Sequence, residues 1–188
     1  MNTVQNVTFG KPKIDGAIFR APLGTALPVN ATTELSSAFA CLGYVSEDGV
    51  TNSNSPSASQ IKAWGGDKVL SLEEEKPDDW NFSLIEALNS DVLKTVYGDS
   101  NVTGTLATGI TIKANSTPHE ASAWVIDMFL RDGAFKRIVI PNGVITEVGD
   151  ISYKDNDAVG YGIKINAMPG DAAFDYDTHK EYIIRRES

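Results

Sequence analysis

Val159-Gly160-Tyr161-Gly162-Ile163-Lys164-Ile165-Asn166-Ala167 decides the fold class of this chain. Val159, Tyr161, Ile163, Ile165 and Ala167 keep a strict period of two, and Gly160, Gly162, Lys164 and Asn166 fill the positions between them. Side chains along a strand point alternately to opposite faces, so this pattern specifies a strand with one face buried and one face wet. Trp80, Phe82 and Leu84 alternate with Asn81 and Ser83 in the same way, and Gly109 to Lys113 alternates again. Phe135 to Pro141, Phe-Lys-Arg-Ile-Val-Ile-Pro, adds a further run of strand-forming residues. The segment from Ala121 to Leu130 fits two periods. Ala121, Trp124, Val125, Met128 and Phe129 make a helical face, whereas Trp124, Ile126, Met128 and Leu130 make a strand face. Its aromatic and β-branched content, and the strands around it, favour a strand.

Outward from these strands, one helix is well marked. Val92, Leu93, Val96 and Tyr97 share a face, Ser90 is placed to cap its start, and Gly98 to stop it. Gln60 to Trp64 and Lys68 to Leu72 flank Gly65-Gly66-Asp67, which is a hairpin signature. Residues 52–59, Asn-Ser-Asn-Ser-Pro-Ser-Ala-Ser, read as a long polar loop with nothing to bury. Tyr44 to Thr51 reads as a strand entering a turn at Asp48-Gly49. Thr32 or Thr33 caps a second, short helix that carries Leu35, Phe39 and Leu42 and ends at Gly43. Residues 1–28 are rich in Gly, Pro and small side chains, and read as an extended arm with a short strand near Ile14 to Arg20. Such an arm orders best against another surface. The expectation is a mainly β chain, a β-sandwich or barrel with one main flanking α-helix, in a single domain over residues 1–188.

Bulk properties narrow the function. A chain of 188 residues buries roughly 70% of its unfolded surface, enough for a core without staples. One cysteine, Cys41, allows no intramolecular disulfide and no cysteine-built zinc site, and its apolar surroundings make it a small buried hydrophobe. Acidic side chains number 25 against 16 basic ones, a net charge of −9, which argues against gripping nucleic acid. No stretch approaches the ~20 apolar residues of a membrane span. The first residues, Met1 to Val7, lack the basic-then-apolar pattern of a secretory signal.

The search for chemistry yields no catalytic, cofactor-binding or metal-ligating residue. Asp175, Asp177 and His179 occur at alternate positions, which one strand face could use for a metal, but a polar C-terminal turn explains them more simply. Neither His119 nor His179 has a His-x-x-x-His partner. Asp155 and Asp157 start like a calcium loop that lacks its glycine and its closing glutamate, and read as a solvated turn. Gly160-x-Gly162 lacks the third glycine of a dinucleotide fingerprint and reads as a spot where a large residue would clash. Glu73-Glu74-Glu75 reads as a solvated charge patch that discourages stray strand pairing.

Four stretches resemble the major tail tube proteins of long-tailed, siphovirus-type bacteriophages. They are Leu42 to Thr51; Asp79 to Glu86 leading to Asp91 to Gly98; Arg137 to Val144; and Glu147 to Asp155 followed by Gly160 to Ile165. The likeness runs from about Gly10 to Ala167, and the segment 169–188 matches nothing in it. The resemblance implies a β-sandwich or split barrel with a flanking helix, shared with the tube protein of type VI secretion. It implies a structural, non-enzymatic virion protein without cofactors that forms stacked hexameric rings in the tail, assembled in the host cytoplasm. It further implies a tape measure protein, a tail terminator and tail-tip proteins as partners, and viral DNA that passes the lumen without specific binding. Two other classes are compatible with the residues: another virion structural protein, such as a tail terminator or capsid decoration protein, and a soluble β-sandwich module that binds, for example, carbohydrate.

Overall fold

The backbone of the computed structural model is described for residues 4–13 and 16–185. In chain order the strands are β1 (Lys11–Pro12), β2 (Ile18–Pro22), β3 (Ala40–Cys41), β4 (Val45–Ser53), β5 (Ser57–Lys62), β6 (Lys68–Glu75) and β7 (Asp79–Leu84). The helix α1 (Ser90–Tyr97) follows, then β8 (Val102–Thr105), β9 (Gly109–Ile112), β10 (Ser122–Phe129), β11 (Ala134–Val148), β12 (Tyr161–Met168) and β13 (Lys180–Arg185). The main sheet runs β3-β2-β10-β11-β12-β7-β4, with β1 added to β10 and β13 added to β11. Two hairpins, β5-β6 and β8-β9, stand outside it.

The two clean period-two segments become β7 and β12, neighbours in register from Asp79 opposite Asn166 to Leu84 opposite Tyr161. Both alternate between buried and half-buried along their length. Segment 121–130 is a strand, β10, as its composition favours, and both of its faces are buried. Trp124 and Ile126 enter one core with Trp80, Phe82, Ile138, Ile140, Ile163 and Ile165. Ala123 and Val125 enter a second core with Phe19, Phe39, Val139 and Phe174. Burial on both sides explains why periodicity could not separate strand from helix.

The sheet is curled. Phe82 on β7 and Trp124 on β10 have ring centroids 6.2 Å apart, although β12 and β11 lie between them, which on a flat sheet would put their strands about 14 Å apart. Helix α1 covers this concave side with Val92, Leu93 and Val96, each contributing about 1.5–3 kcal/mol by burial. Its N-cap is Asn89, whose side chain accepts from the Asp91 amide, and not Ser90. Gly98, with φ of 94°, ends it as expected. Arg20 forks onto Asp99 at 2.9 and 3.2 Å and reaches Ser122 Oγ at 3.0 Å, which ties β2 and β10 to the turn after the helix.

Several expectations need correction. No second helix follows Thr32. Asn30 Oδ1 accepts from the amides of Thr32 and Thr33, Ser36 Oγ accepts from the Ala38 amide, and the chain then joins β3. These local side-chain bonds compete with helical ones, yet Leu35 and Phe39 still reach the second core. The polar loop shrinks to residues 54–56, because β4 continues to Ser53 and β5 begins at Ser57. At Asp48-Gly49 the strand does not turn. It bulges, so that Val45 faces Leu84 and Val50 faces Phe82. The arm contributes β2 to the sheet between β3 and β10, with Ile18 fully buried; Ile14 and Asp15, where its strand was expected to begin, lie outside the described residues.

Glycine packing also differs from expectation. A Cβ at Gly160 or Gly162 would find its nearest neighbour at 3.7 Å, which is ordinary contact. Gly16, Gly43, Gly104 and Gly170 are closely approached elsewhere; in the core the close approach is at Gly143 on the neighbouring β11, where a Cβ would lie 2.7 Å from Trp124 and 2.8 Å from Ile165. There the Trp124 indole also donates to the Gly143 carbonyl at 3.1 Å. We expect Gly143→Ala to cost about 1–3 kcal/mol in urea unfolding, and Gly162→Ala to stay within about 0.5 kcal/mol. Equal costs at the two sites would contradict this packing.

Candidate assembly surface

The β5-β6 hairpin has an apolar face without a cover. In its register Ser59 faces Leu72 and Ile61 faces Leu70, so these four side chains share one side. Ile61, Leu70 and Leu72 are each about half exposed, and Trp64 at the tip is completely exposed. A lone two-stranded hairpin is marginal in water, and one that leaves its own apolar side bare is more so. The expected hairpin is therefore present, and its tip residue Trp64 is the one tryptophan of the three with no shelter, since Trp80 and Trp124 are 3% and 1% exposed. The side chains of Glu73, Glu74 and Glu75 lie outside the described residues.

At the opposite end of β7 and β12 the surface is acidic. Glu47, Asp48, Glu147, Asp150, Asp155 and Asp157 are all exposed there, with Lys154 among them. Asp157 accepts from the Ala158 amide in the turn expected at 155–157. The wet face of β7 and β12 is lined with small and polar groups. Asn81 and Ser83 stand beside Gly162 and Lys164, and Asp79 receives Lys164 Nζ at 3.0 Å and Asn166 Nδ2 at 2.9 Å. A shallow hollow of about 280 Å³ on this face includes Asp48 and Glu147.

The residues considered for metal binding are divided among other partners. Asp175 and Asp177 both reach Lys180, while His179 turns away to Asp78. Among the described residues no group of three or more His, Cys, Asp and Glu is arranged to hold a metal ion. Asp78, missed in the sequence, is 2% exposed. Its carboxylate accepts from Asn52 at 2.7 Å, from Thr178 at 2.6 Å and from His179 Nδ1. Burial pushes the Asp78 carboxyl up, but the bonds from His179, Thr178 and Asn52 outweigh it and hold it below the usual carboxylate range. The bond to Asp78 raises His179 above the usual imidazole range against the effect of burial. His119 is lowered by burial, with Arg20 adding to the effect. Cys41 is half-buried at the edge of the second core, and its sulfur accepts from the Gly43 amide. Among the described residues no helix is long and apolar enough to cross a membrane.

Trp64 is expected to be the iodide-quenchable tryptophan of the isolated protein. Trp64→Ala should remove that component and shift the unfolding midpoint by less than about 0.5 kcal/mol equivalent. A quenchable fraction that survives the substitution would contradict the exposure described above.

A family model described as phage tail tube protein matches residues 14–178, which is most of the chain. No curated protein matches the chain.

Proposed function

The chain belongs to the phage tail tube protein family, and from that membership we propose that it assembles with copies of itself into stacked hexameric rings that form the conduit for DNA delivery. A structural component of a phage tail carries a non-enzymatic role. We take residues 1–188 as one assembling unit, built in the host cytoplasm and contacted at its ends by a tape measure protein, a tail terminator and tail-tip proteins.

The observation that carries the assembly reading is the uncovered apolar side of the β5-β6 hairpin around Ile61, Leu70 and Leu72. An apolar surface on a projecting element is stabilised when a second copy covers it, at roughly 25 cal/mol per Å². A heterologous contact repeated around an axis closes a ring, and a second one stacks rings. The hairpin projects from the end of β4 and β7 opposite the acidic rim of Asp48, Asp150 and Asp155, and Lys62 and Lys68 flank its tip. Head-to-tail stacking would set these lysines, with Asp67 between them in sequence, against the acidic rim.

We assign the polar face of β7 and β12 to the bore. Asp79 neutralises Lys164 on that face, and Asp48 and Glu147 add negative charge. A duplex passing within the ~8 Å screening length meets little that attracts phosphate.

Electron microscopy of the purified protein, or of virions, should show a tube with a central channel. Replacing Ile61 and Leu72 together by Ser should abolish tubes while the urea midpoint of the monomer stays within about 0.5 kcal/mol. Tubes that form normally from this variant would remove the hairpin from the assembly contact. Assembled tubes should show no DNA binding in a titration at low salt, and salt-sensitive binding would overturn the sliding reading.

A further inference from the structure

The hairpin leaves the sheet through residues 54–56 and 76–78, and the second of these connections ends in Asp78. Three other parts of the chain converge on that buried residue. Asn52 lies near the end of strand β4 before the hairpin and also donates to the Asp79 carbonyl at 3.2 Å. Thr178 and His179 come from the C-terminal segment just ahead of β13. The Ala167 amide, from β12, donates to the Asp78 carbonyl at 2.8 Å. The His179 ring stands edge-on to Trp80 at 5.2 Å, against the first core. The family match ends at Thr178, so His179 and β13 lie beyond it.

We propose that Asp78 and His179 form a proton-controlled clasp by which the C-terminal segment fixes the root of the β5-β6 hairpin. Both are positioning residues for the hairpin and neither touches a docking partner. The charged groups facing His179 are Asp78, from the connection before β7, Glu181 on β13 and Lys136 on β11. Glu181 favours the protonated ring and Lys136 opposes it; those two also pair with each other at 2.8 Å. With the ring protonated, the buried carboxylate has a cationic partner. When the ring loses its proton, Asp78 keeps its charge in a buried site with only neutral donors, and the clasp slackens.

The direction with pH follows. His179 is raised in the folded chain, so its contribution is complete below about pH 6.5 and is lost as pH rises through its folded value. Asp78 is lowered, so its contribution is complete above about pH 4 and is lost as pH falls through its folded value. The clasp is tight between those limits and slack in alkaline solution.

The test uses the full chain at a dilution where it is monomeric, so its outcome is separate from tube formation, which microscopy reads. Magnetic resonance would follow the His179 ring, the protection factor of the Ala167 amide corrected for intrinsic exchange, and the order parameters of residues 57–72, between pH 6 and pH 9. Ala167 protection should fall across the His179 titration, in the direction that loss of the cationic partner of Asp78 requires. Hairpin order parameters should fall with it. His179→Gln should show the low values at both pH extremes. Thr178→Val, which removes one donor and no charge, should keep the pH response from a lower starting point, and serves if His179→Gln folds poorly. Hairpin order and Ala167 protection that do not change through the His179 titration, or a response that persists in His179→Gln, would overturn the clasp.

Discussion

The pairing of β10 with β11 is the constraint on which the rest of the structure depends. Both strands bury side chains on both faces, so each belongs to two cores at once. Between them sits a charged pair: Asp127 and Arg137 are direct partners in the register and join through two bonds of 2.7 and 2.8 Å. They are 0% and 4% exposed. Losing one member would strand the other charge, at a cost of about 3–5 kcal/mol. A shift of one residue would also exchange the contents of the two cores. The register is thereby fixed, and β2, β1, β12 and β13 take the edges that this pair leaves open.

Fixing β10 against β11 also fixes what stays outside. β11 has fifteen residues, and its two halves carry different neighbours: β13 lies along Ala134 to Val139 and β12 along Asn142 to Val148. Pro141 stands at the change-over, next to a register shift in the β10 ladder, where a missing amide is tolerated. The C-terminal segment must cross from the end of β12 to the start of β13 at this place, which brings Thr178 and His179 to Asp78. The hairpin root is therefore anchored by long-range contacts, while the hairpin itself gains no cover from the described residues of the chain that carries it. Firm root and bare apolar side belong to the same arrangement, and together they suit an element whose partner is another copy.

The segments that were legible in the sequence are those whose environment differs between their two faces. β7 and β12 have a core side and a wet side, so burial wrote a period of two into them. α1 has one packed stripe and a glycine stop, and was equally plain. The stretch after Thr32 misled because Leu35 and Phe39 are spaced as on a helix face and do enter a core, but local side-chain bonds hold the backbone in turns. The Asn/Ser stretch misled because ladder bonds extend into polar sequence when no side chain has to be buried, so β4 and β5 absorbed most of it. Apolar pattern reports burial, and backbone pairing on an exposed edge leaves no such record.

By itself the sequence determined the mainly β class, the single main helix, the hairpin and the likeness to a tail tube family, because each rests on local spacing or on ordered motifs along the chain. It determined an acidic balance and offered no spacing for metal or cofactor chemistry. Only the tertiary structure decided that β10 and β11 share two cores, that Gly143 is tightly packed while Gly162 is not, and that the hairpin's apolar side stays bare among the described residues. Only the tertiary structure joined Asp78 to His179, 101 residues apart. The physical reason is common to all of these: they depend on which distant segments become neighbours, and that is settled by the simultaneous packing of many side chains, which no local period records.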